Sequence, residues 1–217
     1  MQEKRFLKKI PEDRGVPEII LASESPRRKE ILSRMGIGFK SLTPSAEETN
    51  EYFCPSLVPL VNACRKAENI SEAYPSSLVI GADTVIELDG KILGKPSSSS
   101  EARKMLLMLS GRKHLVLTGV CLVKKEVRAK CVFCDSTEVI FKKLSNPAVD
   151  DYIGKVNTLD KAGAYAIQEH GEMLIAGIEG SFDNVIGLPS EKLARALQSL
   201  ALGRVIRNLV PEPKLSS

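Results

Sequence analysis

Hydrophobic and polar positions follow one another along the chain in a pattern that predicts strands interleaved with helices. The apolar run 19–22 predicts a buried strand, and residues 26–36 follow it with apolar side chains at helical spacing. Ser25 suits the N-cap of this helix, and Gly36 suits the position at which it ends. The sequence therefore predicts a strand, a tight turn and a helix within residues 18–36.

The rest of the chain continues the alternation with strands of both orientations. Asp89-Gly90 predicts a two-residue hairpin turn, and two long β-rich runs after it predict an antiparallel pair. The further predicted strands lie near 39–42, 78–86, 91–93, 115–123, 129–141 and 173–176, and the further helices near 57–73, 98–110, 146–152 and 190–202. We therefore expect an α/β fold in which helices flank a mixed, twisted sheet.

Composition narrows the class of protein. The 217 residues are 43% hydrophobic and 27% charged, which is typical of a globular domain. No repeat or linker divides the pattern, so we expect one domain over 18–203, an N-terminal extension over 1–17 and a C-terminal tail over 204–217. The longest nearly apolar run, 115–123, is far shorter than the roughly 20 residues that a membrane-spanning helix needs, so we expect no membrane association.

The net charge and the cysteine content of the chain predict its binding partners and its cellular compartment. The net charge of +4 suits a phosphate-bearing ligand, but the chain has no dense basic stripe. It has only 5% aromatic residues and no tryptophan, so we expect no stable nucleic-acid partner. Five cysteines without a recognisable secretion signal predict reduced thiols and a cytoplasmic location.

Two arginines occupy the first turn of the first predicted helix. The helix dipole disfavours Arg27 and Arg28 there by about 0.3 to 1 kcal/mol each. A bound anion would compensate, because backbone N–H groups and both guanidinium groups can contact its oxygens. Alternatively, both side chains point to solvent or pair with acidic loops. The local sequence therefore leaves a phosphate site and a surface ion pair open.

A single carboxylate interrupts the apolar strand 78–86. Burial of an unpartnered carboxylate is costly, so Asp83 should meet a metal, a cation or a water that it deprotonates, unless it caps a neighbouring turn. Lys95 follows the predicted hairpin, from which its ammonium can reach the same cleft. Asp83 and Glu48 also offer Mg²⁺ or Mn²⁺ the oxygen ligands that hard cations prefer.

Several short segments together carry a resemblance to a known family. They are Ser23–Arg28, Gly81–Thr84, Gly94–Pro96, Thr118–Val120, Asp160–Tyr165 with Gln168, and Gly177–Gly180 with Asn184–Pro189. In this order and spacing they resemble the Maf family of nucleoside triphosphate pyrophosphatases, over about residues 18–199. The resemblance implies an inosine-triphosphatase-like fold with a deep central cleft, and a homodimer.

The resemblance also implies an activity and the residues that carry it. The activity is metal-dependent hydrolysis of nucleoside triphosphates to the monophosphate and pyrophosphate, with dTTP, UTP and modified pyrimidine nucleotides as the implied substrates. The implied catalytic residues are Asp83, as proton acceptor, with Glu48 and Lys95, and Glu48 and Asp83 would hold Mg²⁺ or Mn²⁺. The implied substrate-binding residues are Ser23, Arg27, Arg28, Lys66, Thr84 and Gln168, of which Arg27, Thr84 and Gln168 mark the dTTP and UTP branch.

Departures from the family pattern leave alternatives at two positions. Glu47-Glu48 stands where an Asp-Glu pair is common, so either acid could serve the metal. The segment 62–65 departs from the usual helix pattern, so Arg65 could act in place of Lys66. A different function is also open, namely a non-catalytic nucleotide-binding regulator of cell division, although the retained acids and lysine favour an enzyme.

Overall fold

The computed structural model describes residues 18–49 and 54–200. Within these residues, seven strands form one sheet with six α-helices and three short 3₁₀ turns around it. The strands are β1 (Ile19–Ala22), β2 (Lys40–Leu42), β3 (Leu78–Leu88), β4 (Lys91–Leu93), β5 (Lys113–Lys124), β6 (Ala129–Phe141) and β7 (Ile175–Glu179). The helices are α1 (Pro26–Arg34), α2 (Leu57–Ala73), α3 (Ser99–Leu109), α4 (Asn146–Lys155), α5 (Phe182–Ile186) and α6 (Ser190–Ser199).

The sheet is mixed, as predicted, and its topology creates a crevice. The strand order is β2-β1-β3-β5-β6-β7, with β4 paired to the far end of β3. β1 is parallel to β2 and β3, whereas β3, β5, β6 and β7 are antiparallel to their neighbours. The pairing of β1 with β3 ends at Ala22 and Gly81, and β3 continues beyond it. The carboxyl ends of parallel strands in open α/β sheets are where ligands bind.

Two glycines bring helix α2 unusually close to the sheet. A Cβ atom on Gly81 of β3 would lie 2.2 Å from the carbonyl oxygen of Ala63, and one on Gly119 of β5 would lie 2.3 Å from the backbone of Pro59. Only residues without a side chain permit this approach. As a result, polar side chains of α2 reach Asp83, which pairs with Gly119 across the two strands.

The two faces of β3 have different surroundings because successive side chains point to opposite sides of a strand. Its even-numbered positions enter two hydrophobic clusters, one with α1 and α6 and the other with α3 and α4. Thr84 is the polar position between those two clusters on this face. Its odd-numbered positions, among them Gly81 and Asp83, face α2. The central strand thus presents Asp83 and Thr84 on opposite faces of the sheet.

Several local predictions need correction. Ser25 lies at the N-cap position of α1, as predicted, but its side chain makes no capping bond. Its backbone N–H donates to Ser23 Oγ at 3.2 Å. Helix α4 continues to Lys155, three residues beyond its predicted end, and it is capped by Ser145, whose hydroxyl accepts from the Ala148 N–H at 3.4 Å. The short helix α5 was not predicted. The predicted tails 1–17 and 204–217 lie outside the described residues, and none of the described helices is long and apolar enough to span a membrane.

Candidate active site

A cavity of about 640 Å³ opens at the carboxyl ends of β1 and β2. Its walls come from the start of α1, the segment after β2, the middle of β3 and residues 160–168. All nine predicted site residues line it: Ser23, Arg27, Arg28, Glu48, Lys66, Asp83, Thr84, Lys95 and Gln168. The fold therefore gathers at one site residues that lie up to 145 positions apart, from Ser23 to Gln168.

The floor of the cavity holds two carboxylates around one ammonium. Asp83 is buried, and its Oδ1 accepts a hydrogen bond from Lys66 Nζ at 2.7 Å. The same Nζ lies 2.5 Å from Glu48 Oε1. The sequence left open a metal, a cation, a water or a capped turn as the partner of Asp83, and in the structure the partner is a cation, Lys66.

Glu48 lies at the mouth of this arrangement, with about half of its side chain exposed. Partial burial acts to raise the pKa of Glu48, but the hydrogen bond from Lys66 and the positive charges of Lys66, Lys95 and Arg28 outweigh it. The pKa of Glu48 is therefore held below its ordinary value. Its carboxylate is ionised at neutral pH.

Asn62 of α2 is the second partner of Asp83, and our sequence analysis assigned it no role. Its Nδ2 donates to Asp83 Oδ2 at 2.9 Å. Asn62 and Lys66 both belong to the buried face of α2. Polar residues four positions apart share a helix face, and this spacing was the available signal.

Arg28 is built into the wall of the cavity. Its Nε donates to the carbonyl oxygen of Gly187 at 2.9 Å, Nη1 to Ser23 Oγ at 3.1 Å, and Nη2 to Thr84 Oγ1 at 3.1 Å. Thr84 Oγ1 also lies 3.0 Å from Thr118 Oγ1 on β5. Three of the five guanidinium N–H groups are thus used by the protein, which fixes the orientation of the other two.

Arg27 has a different environment at the rim. Its Nη1 lies 3.7 Å from Glu169 Oε1, so it forms the pair with an acidic loop that the sequence left open. The buried Lys161 binds the other oxygen of Glu169 at 3.1 Å and Asp160 at 2.8 Å. Gln168 is exposed beside this network and lines the cavity.

The two alternatives left by the family departures differ clearly in position. Arg65 points away from the cavity and donates to the backbone oxygen of Glu47 at 3.3 Å. Arg65 and Glu47 are both exposed, and neither of them lines the cavity. Lys66 and Glu48 are the members of these pairs that face Asp83.

Asp83 and Glu48 are carboxylates of the cavity, and they offer the oxygen ligands that a hard divalent cation prefers. Asp83 and Glu48 already converge on a positive charge, the ammonium of Lys66. Nowhere in residues 18–49 and 54–200 do three or more His, Cys, Asp or Glu residues group as a complete metal site. Mg²⁺ is usually held in this way, by one or two carboxylates together with substrate phosphates.

Comparison with known proteins places this site in a family. Residues 18–200 match the model of the Maf-like protein family. The chain belongs to the Maf family. This assignment confirms the resemblance carried by the sequence motifs, and it covers every residue of the Maf cavity described above.

Individual relatives align with this Maf chain over most of their length. A dTTP/UTP pyrophosphatase of Akkermansia muciniphila is 44% identical over 186 residues, covering 85% of this chain and 97% of the relative. A dTTP/UTP pyrophosphatase of Bacillus cereus is 40% identical over 188 residues, covering 86% and 92%. Among solved structures, a HAM1 protein from Coxiella burnetii is 17% identical with a TM-score of 0.48, covering 84% and 99%. The family assignment rests on the sequence matches.

Proposed function

We propose that this protein hydrolyses the nucleoside triphosphates dTTP and UTP, with modified pyrimidine nucleotides as further substrates, to the monophosphate and pyrophosphate. The observation that supports this most directly is a buried acid, Asp83, in a cavity lined by Arg27, Arg28, Lys66 and Lys95. The cavity volume lies within the range of about 300 to 1,000 Å³ that small-molecule sites have. Two relatives over 39% identical carry the name of this activity.

Asp83 is suited to accept the proton of the attacking water. Lys66 and Asn62 each occupy one lone pair of the carboxylate, and an ionised carboxylate offers about four such positions. One of the remaining lone pairs can take a proton from a water that attacks the α-phosphorus. The O–P bond to the β-phosphate breaks, pyrophosphate leaves, and the proton passes from Asp83 to solvent.

The cations supply the charge that the reaction needs. Phosphoryl-type hydrolysis depends mainly on positioning and on neutralising negative charge, and it needs no covalent nucleophile. Arg28 is held rigid by three bonds to the protein, so its remaining N–H groups can bind phosphate oxygens without reorganising. Lys95 and Arg27 lie at the exposed edge. Mg²⁺ or Mn²⁺ held by Asp83 and Glu48 would neutralise phosphate oxygens as a Lewis acid.

Gln168 is proposed to read the base. Its side-chain amide has both a donor and an acceptor, which together match the imide edge of uracil and thymine. A base with a different pattern would leave the amide unpaired, and this costs binding free energy. Arg27 and Thr84 line the same cavity and complete the set of branch-marking positions.

We propose that the protein acts in the cytoplasm as a homodimer. The five cysteines are all free thiols, which agrees with a reducing compartment. The dimer comes from the family resemblance, and the mass in solution, measured by light scattering, tests it.

The replacement of Asp83 by asparagine tests the function. Pyrophosphate release is measured with a panel of nucleoside triphosphates in Mg²⁺ or Mn²⁺. We expect turnover of UTP and dTTP, and a loss of about 10² to 10⁴-fold in Asp83→Asn, because a general base contributes this much. A chelator should abolish turnover, and added Mg²⁺ or Mn²⁺ should restore it.

Asp150→Asn is the matched control, since Asp150 lies on α4 and pairs with Arg103 outside the cavity. It should leave turnover unchanged. Nucleotide binding by the wild type without turnover would instead indicate the non-catalytic regulator. Full activity in folded Asp83→Asn would contradict the role of Asp83.

A further inference from the structure

The segment that carries Glu48 lies antiparallel along helix α2 and is held there by polar side chains of the helix. Residue 45, at the start of the segment, bonds to residue 69 of α2, and residue 49, at its end, bonds to residue 62. The four contacts are Ser45 with Asn69, Glu47 with Arg65, Glu48 with Lys66, and Thr49 with Asn62. Helix α2 is therefore the platform on which the position of Glu48 is set.

Asn62 and Lys66 are the two helix residues that contact both sides of the site: Lys66 binds the Glu48 and Asp83 carboxylates directly, whereas Asn62 binds Asp83 and the backbone beside Glu48. Its Oδ1 accepts the Thr49 N–H at 2.9 Å, and its Nδ2 donates to the Thr49 carbonyl oxygen at 2.9 Å. The second hydrogen of Nδ2 goes to Asp83 Oδ2, also at 2.9 Å. One amide therefore binds the residue next to Glu48 and the carboxylate of Asp83 at the same time.

The amide is committed to these bonds. Asn62 is only 1% exposed, and both Nδ2 hydrogens and the Oδ1 acceptor have partners. An amide with all its hydrogen bonds made in a buried place has one orientation, because any rotation would break bonds that water cannot replace. Asn62 does not line the cavity. It can affect the reaction only through the groups that it holds.

We propose that Asn62 is a positioning residue that fixes the Glu48 and Asp83 carboxylates relative to each other. This inference rests on the proposed function. Asp83 is held directly, and Glu48 is held through the backbone of Thr49. With a side chain of similar size but no polar atoms, Asp83 Oδ2 would lose its amide donor and the Thr49 backbone would lose its two bonds to residue 62. Lys66 would then be the remaining helix residue that joins the two carboxylates, and a flexible ammonium fixes their relative position less closely than two contacts do.

The test compares two asparagines on the same helix. Asn62→Leu removes the amide next to the site, and Asn69→Leu removes an amide that holds only Ser45 at the other end of the segment. We expect kcat for UTP to fall by about 10- to 100-fold in Asn62→Leu, as is typical when the partner of a ligating group is lost. KM should change little, because Asn62 does not touch the cavity. Asn69→Leu should keep kcat near the wild-type value.

Hydrogen exchange measured by mass spectrometry separates positioning from general loosening. Exchange over residues 45–49 should become faster in both variants, while only Asn62→Leu loses kcat. Equal losses of kcat in both variants would overturn the inference, because they would assign the effect to loop order alone. Wild-type kcat in folded Asn62→Leu would also overturn it.

A second substitution keeps the inference testable if Asn62→Leu does not fold. Asn62→Asp keeps the size of the side chain and the acceptor for the Thr49 N–H, but it removes both N–H donors. We therefore expect kcat to fall in this variant too, and a wild-type kcat would overturn the inference. The proposed function fails separately, if the wild type hydrolyses no nucleotide. In that case unchanged exchange at residues 45–49 in Asn62→Leu would still overturn the role of Asn62, and faster exchange would uphold its hold on the segment.

Discussion

His114 shows how a single buried residue couples the packing behind the cavity to pH. It lies on β5, and its Nε2 is 2.7 Å from the hydroxyl of Tyr165, which lines the cavity. Its ring also packs edge-on against Phe141, with centroids 5.0 Å apart. Burial lowers the pKa of His114 to about 4, so the folded protein holds a neutral imidazole at neutral pH.

The lowered pKa of His114 predicts a loss of stability in acid. The unfolded chain binds this proton below a pKa near 6.5, whereas the folded chain does so only below about 4. The free energy of unfolding should therefore fall as pH decreases from 6.5 to 4, by up to about 3 kcal/mol from this group. Urea unfolding of the wild type and of His114→Gln across this range measures the contribution.

His170→Gln provides the comparison, because His170 is about half exposed and is the other histidine of the chain. An unchanged pH dependence in His114→Gln would disprove the assignment.

At the scale of elements, the contact of α2 with the sheet decides whether the site exists. Asn62 and Lys66 reach Asp83 only because the helix backbone rests on Gly81 and Gly119. Both glycines have ordinary backbone angles, since neither has a positive φ. Their role is therefore close approach and not a special conformation.

Gly81→Ala should consequently weaken both stability and turnover. The new methyl would lie 2.2 Å from the Ala63 carbonyl oxygen, so α2 must move away from β3. Overpacking of this kind costs about 1 to 3 kcal/mol, which chemical denaturation measures. The control is Gly38→Ala, because Gly38 has nothing within 4 Å of an added Cβ. If both variants are equally stable, the close contact does not matter.

At the scale of the whole molecule, the cavity joins parts of the chain that are distant in sequence. Arg28 on α1 bonds to Gly187, 159 residues later, and Arg27 pairs with Glu169 across the rim. A ligand that contacts both walls stabilises every element that forms them. Substrate binding should therefore be visible in global unfolding.

A non-hydrolysable UTP analogue with Mg²⁺ should raise the unfolding temperature. At 100 times the dissociation constant, binding adds about 2.7 kcal/mol to the free energy of unfolding. For a domain of this size the increase corresponds to roughly 5 to 10 °C. Differential scanning fluorimetry measures it, with the matching ATP analogue as reference. Equal shifts for both bases would contradict base recognition by the cavity.

The local structure that the sequence predicted rests on short-range signals. Helix α2 has the predicted bounds, 57 and 73, and β6 the predicted bounds, 129 and 141. The hairpin at Asp89-Gly90 is present, with φ of 53° and 77° at its two residues. Periodicity and glycine at positive φ act within a few residues, so the sequence alone determines them. Helix α5 was missed because a helix of five residues is too short to show a repeating hydrophobic pattern.

The sequence also indicated the family and the residues that line the cavity, because ordered motifs record which residues a fold gathers. Only the tertiary structure decided which position and which bonding partners each of those residues has. It made Arg28 a fixed part of the wall and Arg27 a rim residue, and it turned Asn62 toward Asp83. The reason is physical: each of these roles depends on a partner from another element. The distance between two elements follows from how the whole core packs and not from any local pattern.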